Sequence, residues 1–256
     1  MHWLAQVSGT LLNVSTILVG ASIGAALRGR LPERVSRTLL QALALIVLYV
    51  GLNMAASLAH VKAGFFPGVI LALVSLTIGA GMGEWLALEE RLNAFGNALQ
   101  VRFARAEGGG RFTEGFVTAS LLFCVGPMTI IGSLQNGLSG NIDLLALKSA
   151  LDGVASLALG GVFGLGVAAS AIVILIVQGG ISLLAGLLAG SLGNPNTDPV
   201  VLLITGTGGL IIAGISVNVM LSGLNAATRE RVRVGAMLPA LIVCVVVYHI
   251  AGLVGR

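Results

Sequence analysis

Residues 200–222 read VVLLITGTGGLIIAGISVNVMLS, twenty-three residues without a charged side chain. At 1.5 Å rise per residue, a helix of that length crosses a hydrocarbon core of roughly 30 Å. Outside this run lie Asp198-Pro199 on one side and Arg229, Arg231 and Arg233 on the other. Its reading as a membrane span decides the fold class, because similar runs recur along the chain.

Working outward, apolar runs bounded by charge or by Pro, Gly and Asn predict spans at 9–27, 37–59, 65–88, 113–136, 144–164, 168–191, 200–222 and 234–254. The composition agrees: 56% of the 256 residues are hydrophobic and 9% are charged, against about a quarter charged in soluble domains. Mean hydropathy is +1.01. The 37 glycines read as packing residues, since small side chains let membrane helices approach closely. The expected fold is an all-α polytopic bundle of about eight spans, forming one transmembrane domain over residues 1–256.

The net charge of +4 is not spread as a nucleic-acid footprint would be. Eleven of the 14 basic residues fall in three short segments: Arg28, Arg30, Arg34, Arg37; Arg91, Arg102, Arg105, Arg111; and Arg229, Arg231, Arg233. Basic segments beside spans stay in the cytoplasm. Eight spans with the N-terminus outside put all three inside, and the short, nearly neutral links at 60–64, 137–143 and 193–199 outside. Both termini are then periplasmic in a bacterial inner membrane. The first run lacks the basic start of a cleavable signal and reads as a retained span.

The longest polar stretch, EERLNAFGNALQVRFARAEGGG at 89–110, spaces Leu92, Phe95, Leu99 and Phe103 as one helical face. It predicts an amphipathic cytoplasmic connector over 89–111, either interfacial or solvated, followed by a glycine hinge. An echo links Ile46–Met54 and Gly64–Pro67 with Ile211–Val219 and Gly235–Pro239. It is either chance likeness among apolar helices or an inverted-topology repeat, because the matched spans, second and seventh, are an odd number apart.

Polar groups inside spans are costly and are functional candidates by default. Lys148 and Asp152 share one helix face at i,i+4, as a structural ion pair or as a binding carboxylate with its counter-ion. Pro127 interrupts the fourth span, removes a backbone hydrogen bond and frees carbonyls. With Thr129, Ser133, Gln135 and Asn136 it forms either a plain kink or a broken helix offering ligands. Asn53 and Asn218 complete the candidate path. Glu84, beside Trp85, is an interfacial anchor or a site residue, and Glu114 a first-turn cap or a site residue. Thr205-Gly206-Thr207-Gly208-Gly209 lacks the strand-turn-helix context of a phosphate loop and reads as close helix packing. Cys124 and Cys244 read as small buried hydrophobes. His2, His60 and His249 are scattered, so no metal, cofactor or catalytic set is expected, and the chain is not read as an enzyme.

Leu12-Asn13-Val14 with Gly20 before Arg30-Leu31-Pro32-Glu33-Arg34, the Phe123-to-Met128 stretch with Gly132-Ser133, Lys148-Ser149 with Leu151-Asp152-Gly153, and Leu238-Pro239-Ala240 together resemble the domain of unknown function 554 family of YdfK/YqgA-like bacterial membrane proteins. The resemblance implies a multi-spanning membrane protein and no particular activity. The residues themselves suggest a secondary transporter or exporter of a small solute or ion, or else a channel or a partner-binding scaffold. The lipid bilayer is the expected surrounding, a homo-oligomer is an open possibility, and no nucleic acid is expected. No ATP-binding motif is present.

Overall fold

A computed structural model describes residues 2–28, 33–103, 109–124, 127–185, 197–224 and 231–254. Among them are ten α-helices: α1 (His2–Arg28), α2 (Glu33–Ala55), α3 (Gly68–Trp85), α4 (Leu88–Phe103), α5 (Gly109–Cys124), α6 (Pro127–Ser139), α7 (Asp143–Phe163), α8 (Gly166–Leu183), α9 (Pro199–Gly223) and α10 (Ala240–Val254). Two 3₁₀ turns, Ala56–His60 and Gly235–Met237, and a two-stranded hairpin of β1 (Lys62–Ala63) and β2 (Phe66–Pro67) complete the order. Seven segments are long and apolar enough to span a membrane, and the α5–α6 pair, bent by 72°, makes an eighth if counted as one broken span. The chain is a membrane protein of the all-α class.

Lipid as solvent explains which residues lie where. The outward surface carries large apolar side chains such as Val154, Ile242 and Leu253, each more than 70% exposed. The buried face of α7, by contrast, includes Lys148, Ser149, Asp152 and Ser156 at helical spacing. Water would favour the reverse; in hydrocarbon a polar group belongs among helices, where partners exist.

The chain divides into two compact units, each assembled from distant segments: 1–39 with 94–193, and 40–93 with 194–256. In the first unit α1 lies along α7 through small residues. A Cβ on Gly20 would meet the Gly153 carbonyl oxygen at 2.3 Å, and one on Gly160 would meet that of Ala21 at 2.6 Å. On α5, Phe112, Phe116, Ala119 and Phe123 form one buried stripe. Gly164, at φ 74, turns the chain from α7 to α8 in a conformation that side chains disfavour.

In the second unit α2 and α9 cross at Gly51 and Gly209, each of whose backbone oxygens blocks a Cβ on the other. Gly206 likewise sits against Leu58, so the Thr205–Gly209 run is close helix packing. Val61 and the hairpin residue Ala63 pack with Leu71, Leu203 and Cys244. Helix α9 begins at Asp198, whose Oδ1 accepts from the Val200 and Val201 amides at 2.9 and 3.1 Å, with Pro199 at the first helical position.

Several boundaries differ from the sequence reading. The third span starts at Gly68 because 62–67 form the hairpin, whose extended backbone excludes helix. The last span is stepped, since Pro239 cannot donate into a helix ladder and a 3₁₀ turn precedes α10. Gly109 and Gly110 belong to α5 rather than to a hinge; in a first turn their amides need no intrahelical acceptor. Glu114 consequently lies beyond the first turn of α5, so the cap reading does not apply. The connector helix α4 is present. The expectations on Arg30, Arg105, Arg229, Gly126, Gly108 and the link 193–196 lie outside the described residues.

Candidate functional site

The polar groups of the first unit converge on α1. Asn13, fully buried, donates through Nδ2 to Asp152 Oδ2 at 3.0 Å and to Gln178 Oε1 at 3.0 Å. Gln178 Nε2 donates back to Thr10 Oγ1 at 3.3 Å. The Lys148 ammonium donates to the same Asp152 Oδ2 that Asn13 reaches. Lys148 and Asp152 are 6% and 8% exposed, a burial that an unpaired charge would not tolerate. Three helices therefore close one network: α1 with Thr10 and Asn13, α7 with the ion pair, α8 with Gln178.

The broken span borders it. A regular helix would bond the Phe123 carbonyl to the amide of residue 127, but Pro127 has none. Thr129 Oγ1 takes that role, donating to the Phe123 oxygen at 3.2 Å. The Phe123 ring lies 6.0 Å from Lys148 Nζ, within cation–π range. Four residues past Ser133, whose buried hydroxyl has no hydrogen-bond partner, Gly137 packs against the Ser182 carbonyl of α8.

Asn136 is buried and clamps α1. Its Oδ1 accepts from the Gly9 amide at 3.1 Å, while Nδ2 donates to the Ala5 carbonyl at 2.9 Å and to Ser8 Oγ at 3.2 Å. Residues 5 and 9 are one helical rung apart, so a single side-chain amide engages both groups of that rung. A Cβ at Gly9 would lie 2.6 Å from Leu145 Cδ1, and glycine alone leaves the approach open.

The structure thus joins Lys148, Asp152, Thr129, Ser133 and Asn136 in one unit and adds Thr10, Asn13 and Gln178, which the sequence reading did not select. Gln178 was visible as the lone amide in the run IVILIVQGG at 172–180, and Asn13 as an amide in the first span. Gln135 is exposed on α6, and Asn53 is exposed on α2 in the second unit. Asn218, also in the second unit, has a backbone partner: its Nδ2 donates to the Val232 carbonyl at 2.8 Å and its Oδ1 accepts from the Val232 amide at 2.9 Å.

Glu84 is exposed and belongs to a separate ionic lattice. Arg233 Nε pairs with its Oε1 at 2.7 Å, and Arg233 Nη2 with Glu90 Oε1 at 2.6 Å. Glu89 Oε2 accepts from the Gly235 amide at 2.7 Å. Backbone amide hydrogen bonding at the start of α4, then the Arg233 guanidinium, hold the Glu90 carboxyl below its ordinary value. Trp85 beside it is 86% exposed. Glu114 is half-buried on α5. Cys244 is buried, its Sγ 3.2 Å from Thr207 Oγ1; Cys124 and Cys244 are both free thiols. Among the described residues no three His, Cys, Asp or Glu side chains gather as a metal site.

Comparison with known proteins places this architecture. The family described as "Protein of unknown function (DUF554)" matches residues 8–249. An uncharacterised membrane protein of Bacillus subtilis, YdfK, is 32% identical over 248 residues, 96% of this chain and 98% of the relative. The uncharacterised YqgA of Escherichia coli is 28% identical over 241 residues, 93% and 94% of the two chains. No solved structure matches.

Proposed function

We propose that this chain, which belongs to the DUF554 family, is a secondary transporter or exporter of a small solute or ion, and not an enzyme. The observation that supports the reading is the Lys148–Asp152 pair, held with Asn13 and Gln178 between three helices and bordered by the broken α5–α6 span. Replacing such a pair by well-packed apolar residues is often neutral or stabilising, so stability alone gives little reason to keep it.

A binding role accounts for the expense. Asp152 offers a carboxylate, the break at Pro127 offers a bendable backbone, and Asn136 ties the bent segment to α1. Motion of α6 against α1 would open the network on one side. In this reading the protein lies in the bacterial inner membrane with both termini outside and the arginine-rich connections inside, and the alternation of access runs through the first unit. Any energy source is an ion gradient or a separate subunit.

The test is flux into proteoliposomes for a panel of alkali cations and small organic acids and amines, comparing wild type with Asp152→Asn and Asn136→Ala at equal insertion. The expected result is a solute whose flux both variants reduce at least tenfold. Equal flux in all three proteins would remove the assignment.

A further inference from the structure

The polar network contains one acceptor that nothing satisfies. Asn13 spends its Nδ2 on Asp152 and Gln178, and its Oδ1, buried within the bundle, has no hydrogen-bond partner. A buried orphan oxygen beside a carboxylate is a place where a positive group gains free energy. At present the positive group on that carboxylate is the Lys148 ammonium, which is mobile by chemistry: a single charge on a flexible four-carbon stem. It has a second resting place, because the Phe123 face lies 6.0 Å away.

From this geometry we infer that the site exchanges a monovalent alkali cation for a proton. The inference rests on the transporter reading and names its substrate class. The Asn13 amide turns over, giving up its Nδ2 hydrogen bonds to Asp152 and Gln178, and the entering cation is held by Asp152, Asn13 Oδ1 and Gln178 Oε1. Lys148 leaves the carboxylate, loses one N–H proton to water and remains as a neutral amine beside Phe123. One positive charge enters and one leaves, so the buried cluster keeps its charge. Nothing is oxidised or reduced.

The ligand set selects the class of ion. Divalent calcium and magnesium sites draw on several oxygens, usually with more than one carboxylate, and here Asp152 is the single acid of the network. Transition-metal ligands do not gather among the described residues. One carboxylate with amide oxygens suits a hard cation of single charge, the same charge that the ammonium supplies. The other helices packed on the pair add few titratable groups: α5 brings the Cys124 thiol, close enough to feel both charges, whereas α1, α6 and α8 bring Thr10, Asn13, Asn136 and Gln178.

The experiment uses the purified full-length chain in weakly buffered detergent with a pH-indicating dye. Sodium, lithium or potassium chloride is added against choline chloride at equal ionic strength. Wild type is expected to release about one proton per chain on adding one of the alkali cations. The apparent affinity for that cation should then rise about tenfold per pH unit over the alkaline range, as one-proton linkage requires. Asp152→Asn should abolish both effects. Lys148→Met should abolish proton release at alkaline pH while the cation still raises the melting temperature. Because a single change strands a buried partner, the neutral double variant Lys148→Met/Asp152→Asn provides a folded control in which both effects must be absent. No proton release from wild type, or equal release from the double variant, overturns the inference. Proton release without cation flux in proteoliposomes would leave the exchange site standing and remove the transport reading; flux of another solute without cation-linked protons would do the opposite.

Discussion

Replacing Gly24 by alanine tests the packing on which the site depends. A Cβ there would lie 2.3 Å from the Leu157 carbonyl oxygen and 2.6 Å from the Gly161 amide nitrogen. These are backbone atoms of α7, so no flexible side chain can swing aside. Restoring ordinary contact of about 3.4 Å requires α1 and α7 to separate by roughly 1 Å, and a gap of that size forfeits a quarter to a half of each neighbouring dispersion contact. Overpacking of this kind costs about 1–3 kcal/mol. Gly81 on α3 is the control, because a Cβ there meets nothing within 4 Å. Gly81→Ala should be neutral or stabilising by up to about 1 kcal/mol through helix propensity. Sodium dodecyl sulfate titration in mixed micelles measures both. Gly20→Ala acts at the same seam, 2.3 Å from the Gly153 carbonyl, so the double variant should cost less than the sum of the singles. If Gly24→Ala is as stable as wild type, or Gly81→Ala falls equally, the tight α1–α7 seam is wrong.

Three further outcomes are expected. Asn218→Ala removes both hydrogen bonds to Val232 and should destabilise by about 1–3 kcal/mol, with faster amide exchange at 231–237 as the local readout. Asp198→Ala, which uncaps α9, should cost about 1 kcal/mol in the same titration. Glu90 has its carboxyl held below the ordinary value, so its contribution is fully present above that value and fades as pH falls through the folded one. Melting temperature should therefore be insensitive to Glu90→Gln at acid pH and slightly lowered by it at neutral pH; the opposite dependence would contradict the pairing with Arg233.

Much of the fold was readable because lipid imposes long uncharged runs, and the α9 run at 200–222 shows this most clearly. The break at Pro127 was readable for a local reason, a missing amide, and Thr129 fills the place that the missing bond leaves. Lys148 and Asp152 were readable because i,i+4 spacing is a local matter. Their partners were not: Asn13 and Gln178 lie 139 and 26 positions from Asp152, and no periodicity joins α1, α7 and α8. The grouping of 40–93 with 194–256 was hidden for the same reason. Asn218 shows the reverse limit, since an amide in an apolar run is costly whether it serves a path or, as here, engages the Val232 backbone.

The central claim is that the Asn13–Asp152–Lys148–Gln178 network lines a route that water reaches, and not a sealed structural pair. The direct measurement replaces Cys124 and Cys244 with alanine, introduces Thr10→Cys or Ser133→Cys, and applies a membrane-impermeant thiol reagent to each side of sealed vesicles. The account predicts labelling at both positions, with rates that change when the coupling ion is added. No labelling from either side, with the unfolded protein reacting normally, would contradict it.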